Sequence, residues 1–223
     1  MVKILKKTTF KKFYAVNEYV AKTTPMHTHY HSQNPLEKWL WQKKKSLIKK
    51  SLSELNIKNI IDLGCGDGGL LELVKKNIKY TGIDISPTQV KFSLDQIKKI
   101  EYKNAKVYIG DITNLKFANN TFDAALVCDV VEHIISPEKL FSELKRVIKK
   151  DGYIIFSIPN EIFLQSVRAL LLKFPLRSPD HINSVSPLDI KQNFPKILKE
   201  FYVPLNFSFK LSLIGILVAQ NEK

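Results

Sequence analysis

The chain has 223 residues, 44% hydrophobic and 25% charged, a composition that supplies one sizeable core and excludes disorder, collagen and coiled coil. Its formal charge of +14 is concentrated at the start, where residues 1–58 hold 13 lysines against three acids. Arg146, Arg168 and Arg177 are the only arginines, so the charge reads as a solvated lysine face rather than a base-reading surface; an acidic membrane surface is the other partner it suits.

The first predicted element is a helix opened by Asn34 as N-cap, Pro35 at the first position and Glu37 where a capping-box carboxylate stands, running to about Leu55. Strands are predicted at Ile60–Leu63, Tyr80–Ile85, Ala105–Ile109, Phe122–Cys128 and Tyr153–Ile158. Helices are predicted at Leu70–Lys76, Pro87 to about Ile100, and Glu138–Lys149. Phe207–Phe209 and Leu211–Ala219 read as an antiparallel hairpin at a sheet edge. The alternation predicts an α/β fold, with a mostly parallel sheet covered by helices on both faces. Residues 1–57 are expected to form a basic helical cap or lid, and 58–223 the α/β domain. The apolar run Leu213–Ala219 is too short to span a bilayer, and no apolar region follows the basic start. Cys65 and Cys128 make no disulfide framework, so a cytoplasmic setting is expected.

The stretch Asp62-Leu63-Gly64-Cys65-Gly66-Asp67-Gly68-Gly69 joins the first strand to the Leu70–Lys76 segment. Gly64, Gly66 and Gly69 satisfy the dinucleotide spacing, so charge has to discriminate. A pyrophosphate is repelled by carboxylates, and here Asp62, Asp67, Asp84 and Asp111 all stand where a parallel sheet binds its ligand. Such a crevice suits a ligand with a ribose and positive charges but no phosphate, which describes S-adenosylmethionine.

At this point the chain resembles the class I S-adenosylmethionine-dependent methyltransferases. The stretches IIDLGCGDGG (60–69), GIDIS (82–86), GDITNLKF (110–117), FDAALVCDVVEHI (122–134) and LKRVIKKDGYIIFSIPN (144–160) follow that family's order and spacing. The resemblance implies a Rossmann-like seven-stranded sheet whose last strand is antiparallel. It implies that Gly64, Gly66 and Gly68 pass under the methionine part, Asp62 holds its amino end, and Asp84 accepts from the ribose hydroxyls. Ile85 would pack on the adenine, Asp111 and Ile112 would meet its edge, and Cys128 and Asp129 would line the donor site. The product would be S-adenosylhomocysteine.

On the acceptor side, a hydroxyl nucleophile must lose its proton to a base or a metal. Asp129, Glu132 and His133 would share one face if the chain turns helically after the fourth strand. The pattern is similar to ubiquinone-pathway O-methyltransferases and small-RNA 2′-O-methyltransferases, in which it is associated with a divalent metal such as Mg²⁺. That resemblance makes Asp129, Glu132, His133 and the downstream His181 candidate ligands, and His133 and His181 candidate catalytic bases. Capping and orientation of the loop by Glu132 and His133 is the competing reading. Ile162–Phe174 has an apolar helical stripe that suits a lid, a membrane-leaning surface or plain core packing, and His27, Tyr30, His29 and His31 form a second cluster. The expected function is methylation of a small or lipid-like hydroxyl acceptor. RNA 2′-O-methylation and a non-catalytic S-adenosylmethionine-binding scaffold are the alternatives.

Overall fold

The computed structural model describes residues 35–170 and 181–223, together with Ala15, Glu18 and Lys22. Helix α1 spans Pro35–Ser53. After it come β1 (Asn59–Leu63), β2 (Lys79–Asp84), α2 (Pro87–Lys99), β3 (Ala105–Ile109) and β4 (Phe122–Cys128). The chain continues through α3 (Pro137–Val147), β5 (Ile148–Pro159), α4 (Glu161–Leu170), α5 (Pro187–Asn193), β6 (Ile197–Val203) and β7 (Ile214–Gln220). The seven strands form one sheet in the order β3-β2-β1-β4-β5-β7-β6, with β7 antiparallel to both neighbours and the other pairs parallel.

The central strands are apolar on both sides, and their period of two sends alternate residues to two cores. Ile61, Leu63, Ala125, Val127, Ile154 and Phe156 face Leu140, Phe141 and Leu144 of α3 and Ile190 of α5. Ile60, Ala124, Leu126, Ile155, Ile216 and Val218 face Ile48 and Leu52 of α1 and Val90 of α2. Helix α1 therefore shares the sheet's core. The Asn34 cap and the cluster of His27, His29, Tyr30 and His31 lie outside the described residues.

Three elements differ from expectation. In place of a helix at Leu70–Lys76 there is one 3-10 turn, Leu71–Leu73, after which Val74 is already extended. Leu71 and Val74 are both buried there, and Lys79 must open β2 only five residues later, so the chain turns once and heads back. The strand paired with β7 is Ile197–Val203, and Phe207–Phe209 belong to the connection between the two. Lys199-Glu200 and a register irregularity between Ile197 and Lys199 break the alternation that would have marked β6. The hairpin also inserts β7 inside the sheet, leaving β6 at the edge. Finally, β5 starts at Ile148, which pairs with Phe122 ahead of the left-handed Asp151 (φ 58°).

Candidate functional site

The carboxyl ends of β1, β2 and β4 carry most of the predicted residues. The glycine loop leaves β1 with Gly64, Gly66 and Gly68 at φ 71°, 53° and 84°, left-handed values open to glycine without strain. At Gly64 there is a second reason: a Cβ would stand 2.5 Å from Val130 Cγ2, so the loop lies directly on the segment leaving β4. The N–H groups of Gly64 and Cys65 both donate to the Ile83 carbonyl, tying the loop to β2.

Asp84 ends β2. Its Oδ2 accepts from Gly66 N–H and its Oδ1 from Ser86 N–H, both at 2.9 Å. A carboxylate oxygen has two lone-pair sites, so each keeps acceptor capacity for a ligand hydroxyl. Burial raises the Asp84 pKa, and those amide bonds oppose the rise. Asp62 is 1% exposed, and the Tyr80 hydroxyl donates to it at 2.6 Å. Burial pushes Asp62 up to about 7, against the Tyr80 bond and helped by the charge of Asp84. Asp67 accepts from Gly69 N–H at 3.1 Å. Ile85 follows Asp84 half-buried, and Ile112 is buried beyond β3. Asp111 turns inward on its own loop, accepting from Thr113 N–H and Oγ1–H at 2.8 and 2.7 Å.

At the end of β4, Asp129 has φ 54°, and its N–H donates to the Ser157 carbonyl at 2.8 Å. Its carboxylate accepts from Ser157 Oγ–H at 2.9 Å and forms an ion pair with the buried Lys44 ammonium of α1. Burial pushes the Cys128 thiol up, with Lys44 opposing and Asp62 and Asp129 adding, so these groups occupy one electrostatic neighbourhood.

The expected face shared by Asp129, Glu132 and His133 is replaced by a different grouping. The helical segment is only the 3-10 turn Val131–His133, and the left-handed Asp129 precedes it, engaged by Lys44 and Ser157. Glu132, His133 and His181 come together instead, with one ligand atom of each within 4.8 Å of the others. Glu132 is 1% exposed, and among the described residues neither carboxylate oxygen has a hydrogen-bond partner. Burial, with the charge of Asp129 added, raises its pKa well above the usual range. The His133 and His181 rings are edge to face at 4.7 Å, and His181 Nδ1 lies 2.5 Å from Glu161 Oε1. The returning chain is fixed by Ile182 and Asn183 N–H groups, which donate to the Glu132 carbonyl at 2.9 Å.

Sequence reasoning passed over Lys44, Tyr80, Ser157 and Glu161. Lys44 had a signal: it stands four residues before Ile48 and eight before Leu52, on the helix's buried stripe. Tyr80 pairs in register with Ile60, two residues from Asp62 on the same strand face. That relation requires knowing which strands are neighbours.

Residues 61–156 match the profile of the methyltransferase domain family. Over 94 residues the chain is 38% identical to norajmaline N-methyltransferase of Rauvolfia serpentina, covering 40% of this chain and 32% of that one. It is 33% identical over 96 residues to the probable (S)-tetrahydroprotoberberine N-methyltransferase 2 of Papaver bracteatum, covering 42% and 26%. The chain thus spans about a third or less of these two relatives. Among solved structures, magnesium protoporphyrin IX methyltransferase from Synechocystis, with bound SAH, superposes with a TM-score of 0.70 at 19% identity, over 94% of this chain and 100% of that one. An S-adenosylmethionine-dependent methyltransferase from Clostridium acetobutylicum gives 0.68 at 18% identity, over 92% and 99%. These likenesses establish the fold.

Proposed function

We propose that this chain, whose residues 61–156 match the methyltransferase domain profile, transfers a methyl group from S-adenosylmethionine to a hydroxyl oxygen of a small or lipid-like molecule. The observation that carries the reading is the junction of the left-handed glycine loop with Asp84, whose carboxylate organises the loop and keeps acceptor capacity. On this reading Gly64, Gly66 and Gly68 underlie the methionine part and Asp62 takes its ammonium. Asp84 takes the ribose, Ile85, Asp111 and Ile112 border the adenine, and Cys128 and Asp129 wall the sulfur.

Methyl transfer is an in-line displacement, so the acceptor atom must be aligned and relieved of its proton. His133 and His181 are the bases available on the acceptor side, and Glu161 orients the His181 ring. Glu132, His133 and His181 also fit a divalent ion: two orphaned buried oxygens and two imidazoles converge, and Glu161 leaves His181 Nε2 as the coordinating nitrogen. A set with two nitrogens suits Zn²⁺, Mn²⁺ or Fe²⁺ better than Mg²⁺, which favours oxygen ligands. Such an ion would lower the pKa of an acceptor hydroxyl. Asp129 stays outside the set because Lys44 and Ser157 hold it.

A nitrogen acceptor is the second reading, favoured by the N-methyltransferase names of the curated relatives. The lipid-like acceptor is supported by Ile162 of α4, which is 77% exposed and follows the acceptor cluster's Glu161. No helix among the described residues is long and apolar enough to cross a membrane. A cap formed by the N-terminal segment is supported by Glu18, which accepts from Ser86 Oγ–H and Thr88 Oγ1–H at 2.6 and 2.5 Å, next to Asp84 and Ile85.

Calorimetric titration with S-adenosylhomocysteine, with and without Mn²⁺ or Mg²⁺, on wild type and His133→Ala tests both halves. The expected result is nucleoside binding in both proteins and a separate metal heat lost in the variant. Absence of nucleoside binding overturns the donor reading. Binding without any metal heat removes the ion and leaves His133 and His181 as bases.

A further inference from the structure

Strand β5 runs parallel to β4, and β7 is antiparallel to both β5 and β6, so β4, β5 and β6 all point the same way. Their outgoing connections share one end of the sheet with the acceptor cluster. Two of these connections meet at Asn160, the buried residue that follows β5. Its Nδ2 donates to the Phe209 carbonyl at 2.6 Å, its backbone N–H donates to the Leu213 carbonyl at 2.8 Å, and its Oδ1 accepts from Phe163 N–H at 3.1 Å. The start of α4 and residues 204–213, which join β6 to β7, are thus held together.

The β6–β7 connection folds on itself and sorts its side chains. The hydroxyl of the fully buried Ser212 lies 2.6 Å from the Ser208 carbonyl and 3.2 Å from that of Leu205, and Asn206 Oδ1 accepts from Tyr202 N–H at 2.7 Å. Phe209 turns inward against the core, where a Cβ on Gly215 would stand 3.0 Å from its ring. Leu205, Phe207 and Leu211 turn outward, 53%, 65% and 52% exposed, and Ile162 is exposed on the α4 side of Asn160. Single exposed apolar residues are ordinary, whereas four on two segments joined by one buried amide mark an interaction surface. Charge selects what meets it. Residues 201–221 hold Lys210 and no acid, and the sequence from 162 to 179 holds Arg168, Lys173 and Arg177 and no acid. Glu161 is buried against His181. A second copy of a chain with formal charge +14 brings like charges together, while an anionic lipid surface attracts them.

We propose that Ile162 and the β6–β7 connection dock this chain on an anionic lipid bilayer, with Leu205, Phe207 and Leu211 entering the headgroup boundary and Lys210 on the headgroups. Because Ile162 follows Glu161, which holds His181, the docked face brings the acceptor cluster to the bilayer. The inference deepens the lipid-like acceptor reading above, on which it rests, by naming the surface that holds such an acceptor.

The test is co-sedimentation with vesicles of phosphatidylcholine, alone or mixed with phosphatidylglycerol. Wild type should partition onto the mixed vesicles about tenfold or more better than onto phosphatidylcholine alone. Leu205→Ser combined with Phe207→Ser should lower partitioning onto the mixed vesicles by about tenfold or more. Ile109→Ser, which removes an exposed apolar residue from β3 at the opposite edge of the sheet, should stay within about twofold of wild type. If the double variant does not fold, Phe207→Asp alone places an acid on the surface and should show the same loss. Wild type that ignores mixed vesicles overturns the proposal. A double variant that binds as well as wild type reduces the attraction to lysines alone and overturns it too, as does an equal loss in Ile109→Ser. Lipid-free self-association of wild type that Phe207→Asp abolishes, seen by sedimentation velocity, assigns the face to a second copy and also overturns docking on lipid. Calorimetric titration of the same proteins with S-adenosylhomocysteine separates the two readings, because docking can fail with nucleoside binding intact, and the donor reading can fail with docking intact.

Discussion

Asp62 sits inside the sheet with the Tyr80 hydroxyl on its carboxyl group, and its pKa is pushed up to about 7. In the unfolded chain an aspartate ionises near about 3.9, so between those two pH values the folded chain holds a proton that the unfolded chain has lost. Its contribution to stability is therefore greatest below about pH 4 and declines as pH rises to about 7. Asp62→Asn should abolish that part of the decline in urea-unfolding free energy; an unchanged pH profile would show that Asp62 is ionised throughout. A ligand ammonium at Asp62 favours the carboxylate, so S-adenosylhomocysteine affinity should rise with pH through this range in wild type and stay flat in Asp62→Asn. Tyr80→Phe removes the donor and should cost about 1–3 kcal/mol of stability above pH 7, measured by denaturant titration. The acids at strand ends were legible because they come directly from the strand pattern. Tyr80 was not, because its partner lies 18 residues away and only the strand order joins them; Lys44 could be placed on a buried helix stripe, but its partner, 85 residues away, could not be read.

Among the elements, the glycine loop shows how closely local conformation and packing are tied. Gly64→Ala meets two penalties, a left-handed backbone costing roughly 1–2 kcal/mol and a Cβ pressed on Val130. Adding Val130→Ala should recover the second penalty and leave the first, and recovery of full stability in the double variant would contradict the backbone argument. Helix α5 illustrates a different device. Ser186 caps it reciprocally with Asp189, and Pro187 occupies its first turn. Ser186→Ala should cost about 1 kcal/mol by urea titration. That Ser-Pro-x-Asp signature was readable in the sequence, yet a helix of seven residues gave too little periodicity to attract attention. Strands β3 and β4 were readable to the residue because flanking turns bound them, whereas β6 hid behind adjacent charges at a half-exposed edge. All three members of the Glu132, His133 and His181 cluster were named from the sequence, while Asp129 was assigned to them on the assumption of a helical turn that a left-handed residue prevents.

For the molecule as a whole, the crevice proposed for the donor is built from strands in the middle of one continuous sheet, so ligand binding and global stability should be linked. S-adenosylhomocysteine at 100 times its Kd should raise the unfolding free energy by about 2.7 kcal/mol with an unchanged denaturant slope. A midpoint that ignores the ligand would place binding outside the cooperative core. The strand order has a further consequence for how the chain is made. Strand β6 emerges from the ribosome before β7, yet among the described residues its only neighbour in the sheet is β7. Until residues 214–220 have been synthesised, β6 has no strand to pair with and the outer edge of β5 stays bare. The side chain of Asn221 then fastens the finished hairpin by donating to the carbonyls of Lys145, Ile148 and Lys149. A nascent chain that stalls before β7 exposes an apolar sheet edge of the kind that recruits strands from other chains, so the sheet closes only late in translation.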